Sequence, residues 1–382
     1  MNIAIYTNIL TPYRKHFFDA LYEECKKNKD EFHVIVMAET EPGRNWHYED
    51  MKTAYTILLN SKSIKMGSIS IHINKNLIDV LEQLKLDVLV CAGSYLCPGI
   101  WSATNYTKKQ KIRSIYWSES HLNESRKYSN IKKKFRELIR KQAYRRFDGF
   151  WYAGKLSKEF IECYCKKDAD FFFMPNLVDE QRFYLKQEIS INKKNEIRQE
   201  FGLPLDKIIF FCPSRLIEIK GLDRFVEILG YCKDKNKVVF AIAGDGEMKQ
   251  KIEQSAIENN VNVSLLGYQD QNSIAKLYKV VDCFILPSLS DANPLTCIEA
   301  LWEGLPLVIS EHCGNYPEVI KNTENGYVFS YNNIPEAVDM IEKVIVSSKD
   351  WKQKAKEMSQ QIAITKYSTP LTIQRLMENL HK

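Results

Sequence analysis

Two carboxylates separated by seven residues, Asp291 and Glu299, are the part of this chain best suited to chemistry. They lie in FILPSLSDANPLTCIEALWEGLPLVISEHCGNYPE, residues 284–318, which reads as strand, loop, helix, strand and a Gly/Pro turn. Phe284 to Leu286 is a short apolar run ending in Pro287-Ser288, the form of a buried parallel strand. Asn293 is placed to cap a helix, and Pro294 suits the first helical position, where a missing N–H costs nothing. The amides of Leu295 and Thr296 then fall in the first turn, free to bind an anion with the helix dipole behind them. Glu299 is about one turn further along. Such an arrangement suits a phosphorylated, hydroxyl-rich ligand, with amides on phosphate and carboxylates on sugar hydroxyls.

Other candidates sit where strands give way to loops. Ser214-Arg215-Leu216 ends one strand, and Lys220-Gly221 follows, so two cations are held near one point. Paired cations there can stabilise the charge of a departing diphosphate. Gly244-Asp245-Gly246 ends another strand, with glycines that allow a tight turn and close approach. Tyr268, after Leu266-Gly267, offers backbone groups to a nucleobase. In the first half, Thr11 and Arg14 follow the first strand, and Glu119 and His121 follow Tyr116-Trp117. The loop from Thr7 to Arg14 has no GxGxxG, which counts against a dinucleotide site.

The elements that must hold these residues alternate along the chain. NIAIYT, FHVIVM, DVLVCAG, IRSIYW and GFWYAG are apolar runs, mostly followed by helical stretches; KIIFFCPSR, KVVFAIAGDG, VSLLG, DCFILPS and LPLVIS repeat the theme. This alternation predicts two doubly wound α/β domains with parallel sheets, whose ligands bind beyond the carboxyl ends of the strands. A length of 382 residues agrees with two domains. A charged content of 27% and a net charge of +6 are ordinary, and without a reading motif they argue against nucleic acid. No apolar run reaches the roughly 18–20 residues that span a bilayer, and MNIAIYTNIL reads as a first strand rather than a signal peptide. The ten cysteines form no zinc-like spacing and read as free thiols of a reducing compartment.

The motifs resemble those of retaining family-4 glycosyltransferases with the GT-B fold. That family pairs two acidic residues seven apart, followed by a Gly-x-Pro strand and a Gly-rich turn ending in Pro-Glu. Here Asp291 stands at the first acidic position, Glu299 at the second, and Gly304-Leu305-Pro306 and Gly314-Asn315-Tyr316-Pro317-Glu318 follow. Cys313 takes the place of a frequent glycine, and Ser214 that of the glycine in Gly-Arg-Leu. Pro175-Asn176-Leu177-Val178-Asp179 resembles the family's stretch at the end of the first domain.

The resemblance implies two Rossmann-like domains facing a cleft: an acceptor-binding domain at 1–180, a linker at 181–206, a donor-binding domain at 207–360, and a helix at 361–382 returning to the first. It implies that Arg215 and Lys220 stabilise the leaving diphosphate, Glu299 accepts from the ribose hydroxyls, and Asp291 approaches the transferred sugar. Ser214, Gly244, Asp245, Gly246, Tyr268, Asn293, Pro294, Leu295 and Thr296 would bind the donor, and Thr11, Arg14, Glu119 and His121 would serve the acceptor side. The expected reaction is metal- and cofactor-independent transfer from a nucleotide sugar, UDP ahead of GDP, to a glycan or lipid-linked saccharide. The rivals are a nucleotide-sugar epimerase of the same fold and a non-catalytic nucleotide-sugar-binding protein. The basic segment 132–146, with Ile131, Phe135, Leu138 and Ala143 or Gln142 at near-helical spacing, reads either as a core-packed helix or as a dock for anionic lipid. The protein is accordingly expected in the cytoplasm, with a place on the inner membrane face if that segment docks.

Overall fold

The computed structural model describes residues 1–41, 47–66, 69–122, 130–184 and 189–381. The chain falls into two compact units, one running to Val178 and taking in Thr369–Leu380, the other spanning Asp179–Ser368.

The first unit is built on β1 (Asn2–Thr7), β2 (Glu31–Val36), β3 (Thr56–Leu58), β4 (Ser61–Met66), β5 (Ile69–Asn74), β6 (Val88–Ala92), β7 (Arg113–Ser118), β8 (Gly149–Tyr152) and β9 (Asp170–Phe173). Seven of these form a parallel sheet in the order β3-β2-β1-β6-β7-β8-β9, while β4 and β5 form a separate antiparallel hairpin. Because side chains alternate across a strand, Ile3 and Ile5 face one layer and Ala4 and Tyr6 the other. Ile3 and Ile5 pack with Phe17, Phe18 and Leu21 of the helix Pro12–Lys27 and with Ile373, Leu376 and Leu380 of Thr369–Leu380. Burial on both faces explains why these strands read as nearly unbroken apolar runs.

The second unit carries β10 (Ile208–Pro213), β11 (Val238–Ala243), β12 (Val263–Leu265), β13 (Cys283–Leu286), β14 (Leu307–Ser310) and β15 (Gly326–Phe329). Its sheet order is β12-β11-β10-β13-β14-β15, all parallel. Strand order therefore reverses between β10 and β13, the position where open α/β sheets bind ligands beyond the carboxyl ends. Within the stretch expected to link the domains, Ile191–Glu200 is a helix of this unit. Buried Arg198 ties it to the sheet, donating to Asp282 Oδ2 at 2.7 Å and to the Val280 carbonyl at 2.8 Å.

All ten runs named from sequence form strands, and β3, β4, β5, β9 and β15 are additional. The added strands are short or weakly patterned: β9 is DFFF, with partly exposed rings, and β15 is GYVF, opening on a glycine. The expected free thiols are observed as such: all ten cysteines are unpaired, eight of them buried.

Asp282 receives Arg198, Lys194 at 3.1 Å and the Ile209 amide at 2.8 Å. Burial alone would raise its carboxyl pKa, but these partners outweigh burial and hold it below the usual carboxylate range. Its contribution to stability is thus present at neutral pH and is lost as pH falls through that depressed value. Replacing Asp282 with Ala strands Arg198 in the interior, and we expect a loss of about 3–5 kcal/mol in urea denaturation at pH 7, with a shallower acid dependence than the wild type.

Candidate active site

The carboxyl ends of β10 and β13 carry most of the candidates. Ser214 and Arg215 follow β10 directly; the Ser214 amide extends the pairing with β11 by donating to the Ala243 carbonyl at 2.9 Å. The Arg215 side chain is exposed, and no ion pair or hydrogen bond engages its guanidinium among the described residues. Lys220 instead pairs with Asp291, Nζ to Oδ2 at 2.5 Å, both side chains mostly shielded. The loop that presents Asp291 is knitted on both sides, its amide donating to the His312 carbonyl and its carbonyl accepting from Gly314. Cys313, in this knitted turn, is fully buried, and burial pushes its thiol up.

The glycines after β11 have a role in the protein itself. Gly244 adopts φ +154°, and a Cβ there would lie 1.9 Å from the Ser214 carbonyl oxygen; at Gly246, also φ +154°, it would lie 2.3 Å from the Leu216 oxygen. What approaches these glycines closely is the loop after β10, which they allow to settle against their own turn. Asp245 closes that turn, its Oδ1 accepting from the Gly246 amide at 2.8 Å and its carbonyl from Leu216 at 2.9 Å. Tyr268 is 80% exposed beside Gly267, whose carbonyl accepts from the Gly244 amide.

The helix after β13 begins one residue later than its sequence suggests. Pro294, at φ −65° and ψ 118°, is the capping residue of Leu295–Glu303, and Asn293 lies before it with no capping bond. The proline's extended ψ moves the first turn to Leu295, and Asn315 Nδ2 holds the Pro294 carbonyl at 3.0 Å. Asn293 is thereby released from the cap. Both polar ends of its amide are buried without a protein partner among the described residues, as is Ser288 Oγ. Buried polar atoms of this kind ask for a partner from outside the chain. The amides of Leu295 and Thr296 fall in the first turn of that helix, directly after Pro294.

Glu299 lies on the same helix, with Oε2 3.0 Å from the Tyr278 hydroxyl. That hydroxyl is also 3.1 Å from the Thr296 carbonyl. Desolvation by the surrounding protein pushes the Glu299 carboxyl up to about 7, against the opposing pulls of Tyr278 and Arg182. The sequence suggests a plainly ionised carboxylate; the packing around it makes it a group poised between two protonation states. Tyr278 and Asn315 carry no local sequence signal, since each acts across about twenty residues of chain. A separate groove along the β12 edge, lined by Val239, Ile257, Val263 and Leu265, contains none of these residues.

In the first unit, Arg14 and Glu119 meet at 3.3 Å beyond the carboxyl ends of β1 and β7. Arg14 also donates to Thr7 Oγ1 at 2.6 Å and lies 4.8 Å above the Trp117 ring. Thr11 is buried at the start of Pro12–Lys27, with no capping bond from its hydroxyl. His121 is buried close by in sequence, three residues beyond β7.

Residues 193–362 match the family described as glycosyl transferases group 1. This region is a glycosyl transferases group 1 domain. The chain is similar to an Escherichia coli UDP-Gal:alpha-D-GlcNAc-diphosphoundecaprenol alpha-1,3-galactosyltransferase, 30% identical over 45% of this chain and 44% of that protein. It is also similar to the alpha-monoglucosyldiacylglycerol synthase of Acholeplasma laidlawii, 20% identical over 68% of this chain and 67% of that protein. The match to the galactosyltransferase thus spans less than half of that relative's length. Among solved structures, the Anabaena protein HepE in complex with UDP superimposes over 100% of both chains with a TM-score of 0.76 at 15% identity. The fold of this chain is GT-B, built from two parallel-sheet α/β domains.

Within the glycosyl transferases group 1 domain, the raised Glu299 carboxyl sets a pH dependence. A desolvated carboxyl whose pKa rises from 4.5 to about 7 keeps its proton in the folded state after the unfolded chain has lost it. Stability therefore falls as pH climbs between those values. In Glu299→Gln this loss disappears, so thermal melts should coincide with the wild type near pH 4.5 and favour the variant by roughly 1–3 kcal/mol at pH 8.

Proposed function

We propose that this protein is a retaining glycosyltransferase that moves a sugar from a nucleoside-diphosphate sugar, UDP ahead of GDP, to the hydroxyl of a glycan or lipid-linked saccharide. One observation carries the reading: Arg215, exposed and unpartnered among the described residues, the Lys220–Asp291 pair, the first-turn amides and Glu299 share the carboxyl side of the β10–β13 reversal. Charge of both signs placed there suits a ligand with phosphates at one end and hydroxyls at the other. In this mechanism the acceptor hydroxyl attacks the anomeric carbon from the face that the diphosphate leaves. The old bond from that carbon to the phosphate oxygen breaks, the new bond forms with retained configuration, and a phosphate oxygen takes the hydroxyl proton. Arg215 stabilises the departing charge, with Lys220 shared between phosphate and Asp291. Glu299 accepts from the ribose hydroxyls, which favours its ionised form when donor is bound. Preference for UDP and for a lipid-linked acceptor is supported by the names of the Escherichia coli relative and the HepE complexes.

Thermal melts with UDP, GDP, TDP and CMP and their sugar conjugates test the donor site. We expect one nucleotide family to raise the melting temperature, UDP first, with the shift absent in Glu299→Ala. No shift with any of them sinks the reading; a shift without turnover on saccharide acceptors points to a binding protein. The configuration of the product's new bond, read by NMR coupling, decides retention.

A place on an anionic membrane belongs to the same reading. The helix Asn130–Tyr144 is held to its unit by Arg140, 4.7 Å from the Phe160 ring and 3.2 Å from the Tyr164 hydroxyl. Arg146, just past its end, donates to Thr104 at 2.8 Å. Ala143 is buried, whereas Phe135 is 63% and Leu138 56% exposed, beside exposed Lys134, Lys141 and Arg145. The side chains of Ile131, Lys132 and Lys133 lie outside the described residues. Among the described residues no helix is long and apolar enough to cross a membrane, so an exposed apolar pair framed by basic groups supports surface docking. Co-sedimentation should show binding to phosphatidylglycerol vesicles over phosphatidylcholine vesicles, weakened by salt and about tenfold lower in F135S/L138S. Equal binding by that variant would remove the helix from this role.

A further inference from the structure

The strand order of the first unit reverses between β1 and β6, which makes the ends of those strands a second ligand-binding position. Asn8 directly follows β1 and Gly93 directly follows β6. They touch: a Cβ on Gly93 would lie 2.8 Å from Asn8 Oδ1. Asn8 Nδ2 donates to Glu41 Oε1 at 3.2 Å, which fixes the orientation of the amide, because only its NH2 end can face a carboxylate. Its Oδ1 is left buried and unpartnered among the described residues.

Glu41 follows β2, whose pairing with β1 continues past the strand ends through Ala38 N to the Asn8 carbonyl at 2.9 Å. Its Oε1 takes a second bond from His72 Nε2 at 3.1 Å. His72 lies on β5, is fully buried, and places Nδ1 2.8 Å from Ser63 Oγ of the paired strand β4. A carboxylate at Nε2 requires the proton there, so in the neutral ring Nδ1 accepts from the serine hydroxyl. The hairpin that supplies both residues is anchored by Asn74, which accepts from the Tyr6 hydroxyl at 2.9 Å and donates to the Met37 carbonyl at 2.8 Å. The result is a chain, Ser63–His72–Glu41–Asn8, running from a braced hairpin to the strand-order reversal. Glu41 is 22% exposed, and no bond within the described residues engages its Oε2.

We propose that Glu41 and Asn8 form a saccharide subsite of the first unit, with His72 and Ser63 as its positioning residues. Calling that saccharide the acceptor rests on the transferase reading. The two oxygens left over, Glu41 Oε2 and Asn8 Oδ1, both accept and neither donates. The ligand they fit presents donors close together, as the neighbouring hydroxyls of a sugar ring do. A phosphate or carboxylate would meet only acceptors there and would be repelled.

The test uses the full chain and the methyl glycosides of glucose, galactose, mannose and N-acetylglucosamine, observed by saturation-transfer NMR, with UDP melts run in parallel. At least one glycoside should bind, and Glu41→Ala should weaken it by about tenfold or more, the loss expected of a charge-assisted hydrogen bond. His72→Leu should weaken it as well, and His72→Gln, which keeps an N–H for Glu41, should restore part of the signal. A UDP shift unchanged in Glu41→Ala shows that the variant is folded. Saccharide binding equal to the wild type in Glu41→Ala, or no binding of any glycoside, overturns the subsite. Loss of the UDP response in the wild type would instead strike the donor reading and leave the saccharide result standing.

Discussion

One hydrogen-bonded device fixes the register on which both units depend. An aspartate stands immediately before a strand, and its carboxylate accepts the backbone amide at the start of the neighbouring strand. Asp87 holds Asn2 at 2.7 Å, Asp148 holds Ser114 at 2.9 Å and Asp282 holds Ile209 at 2.8 Å. In each case the aspartate's own amide returns a bond to the carbonyl of the same partner. Asp87 and Asp282 lock β1 to β6 and β10 to β13, the pairs at which the strand order reverses. A slip of one residue would turn every side chain of a strand to its other face. The placing of groups at the carboxyl ends is thus decided at the opposite ends of the same strands.

At the β10–β13 reversal the charges are arranged with different degrees of freedom. Lys220 and Asp291 neutralise each other, so an empty site does not hold two bare charges out of water. Arg215 stays exposed and, among the described residues, is the cation of these candidates without a protein counter-charge. Glu299 is set back on the helix, where desolvation rather than a neighbouring charge governs its proton. Among the described residues, Tyr278 alone gives that carboxylate a hydrogen bond.

The two doubly wound domains were legible because parallel strands buried on both faces must be apolar throughout, and ten runs have that character. Among the additional strands, SKSIKM and ISIHIN interrupt their apolar residues with polar ones and pair as a hairpin outside the parallel sheet, DFFF opens on an aspartate, GYVF on a glycine, and TIL is only three residues long. The spacing of Asp291 and Glu299 could be read directly, since a loop and one helical turn separate them. The proton on Glu299 could not, because it depends on desolvation by the surrounding protein, opposed by a hydrogen bond from Tyr278, 21 residues earlier. Likewise the basic run at 132–146 does not disclose that Arg140 and Arg146 turn inward to aromatic rings and a threonine. The Glu41–His72 contact, 31 residues apart and made through a hairpin with no strong pattern, left no trace in the sequence.

The helix Thr369–Leu380 bears on how this protein is made. Its Ile373, Leu376, Met377 and Leu380 complete the core that begins with Ile3 and Ile5, yet they are synthesised after the whole of the second unit. Domains of a growing chain ordinarily fold in turn from the amino terminus. Here the first unit leaves the ribosome with one apolar face only partly covered, by the helix Pro12–Lys27, while the second unit has all its strands in one continuous stretch. The unit that is translated first is therefore the one that finishes last, and its open face in the interval is the surface a chaperone would be expected to shield.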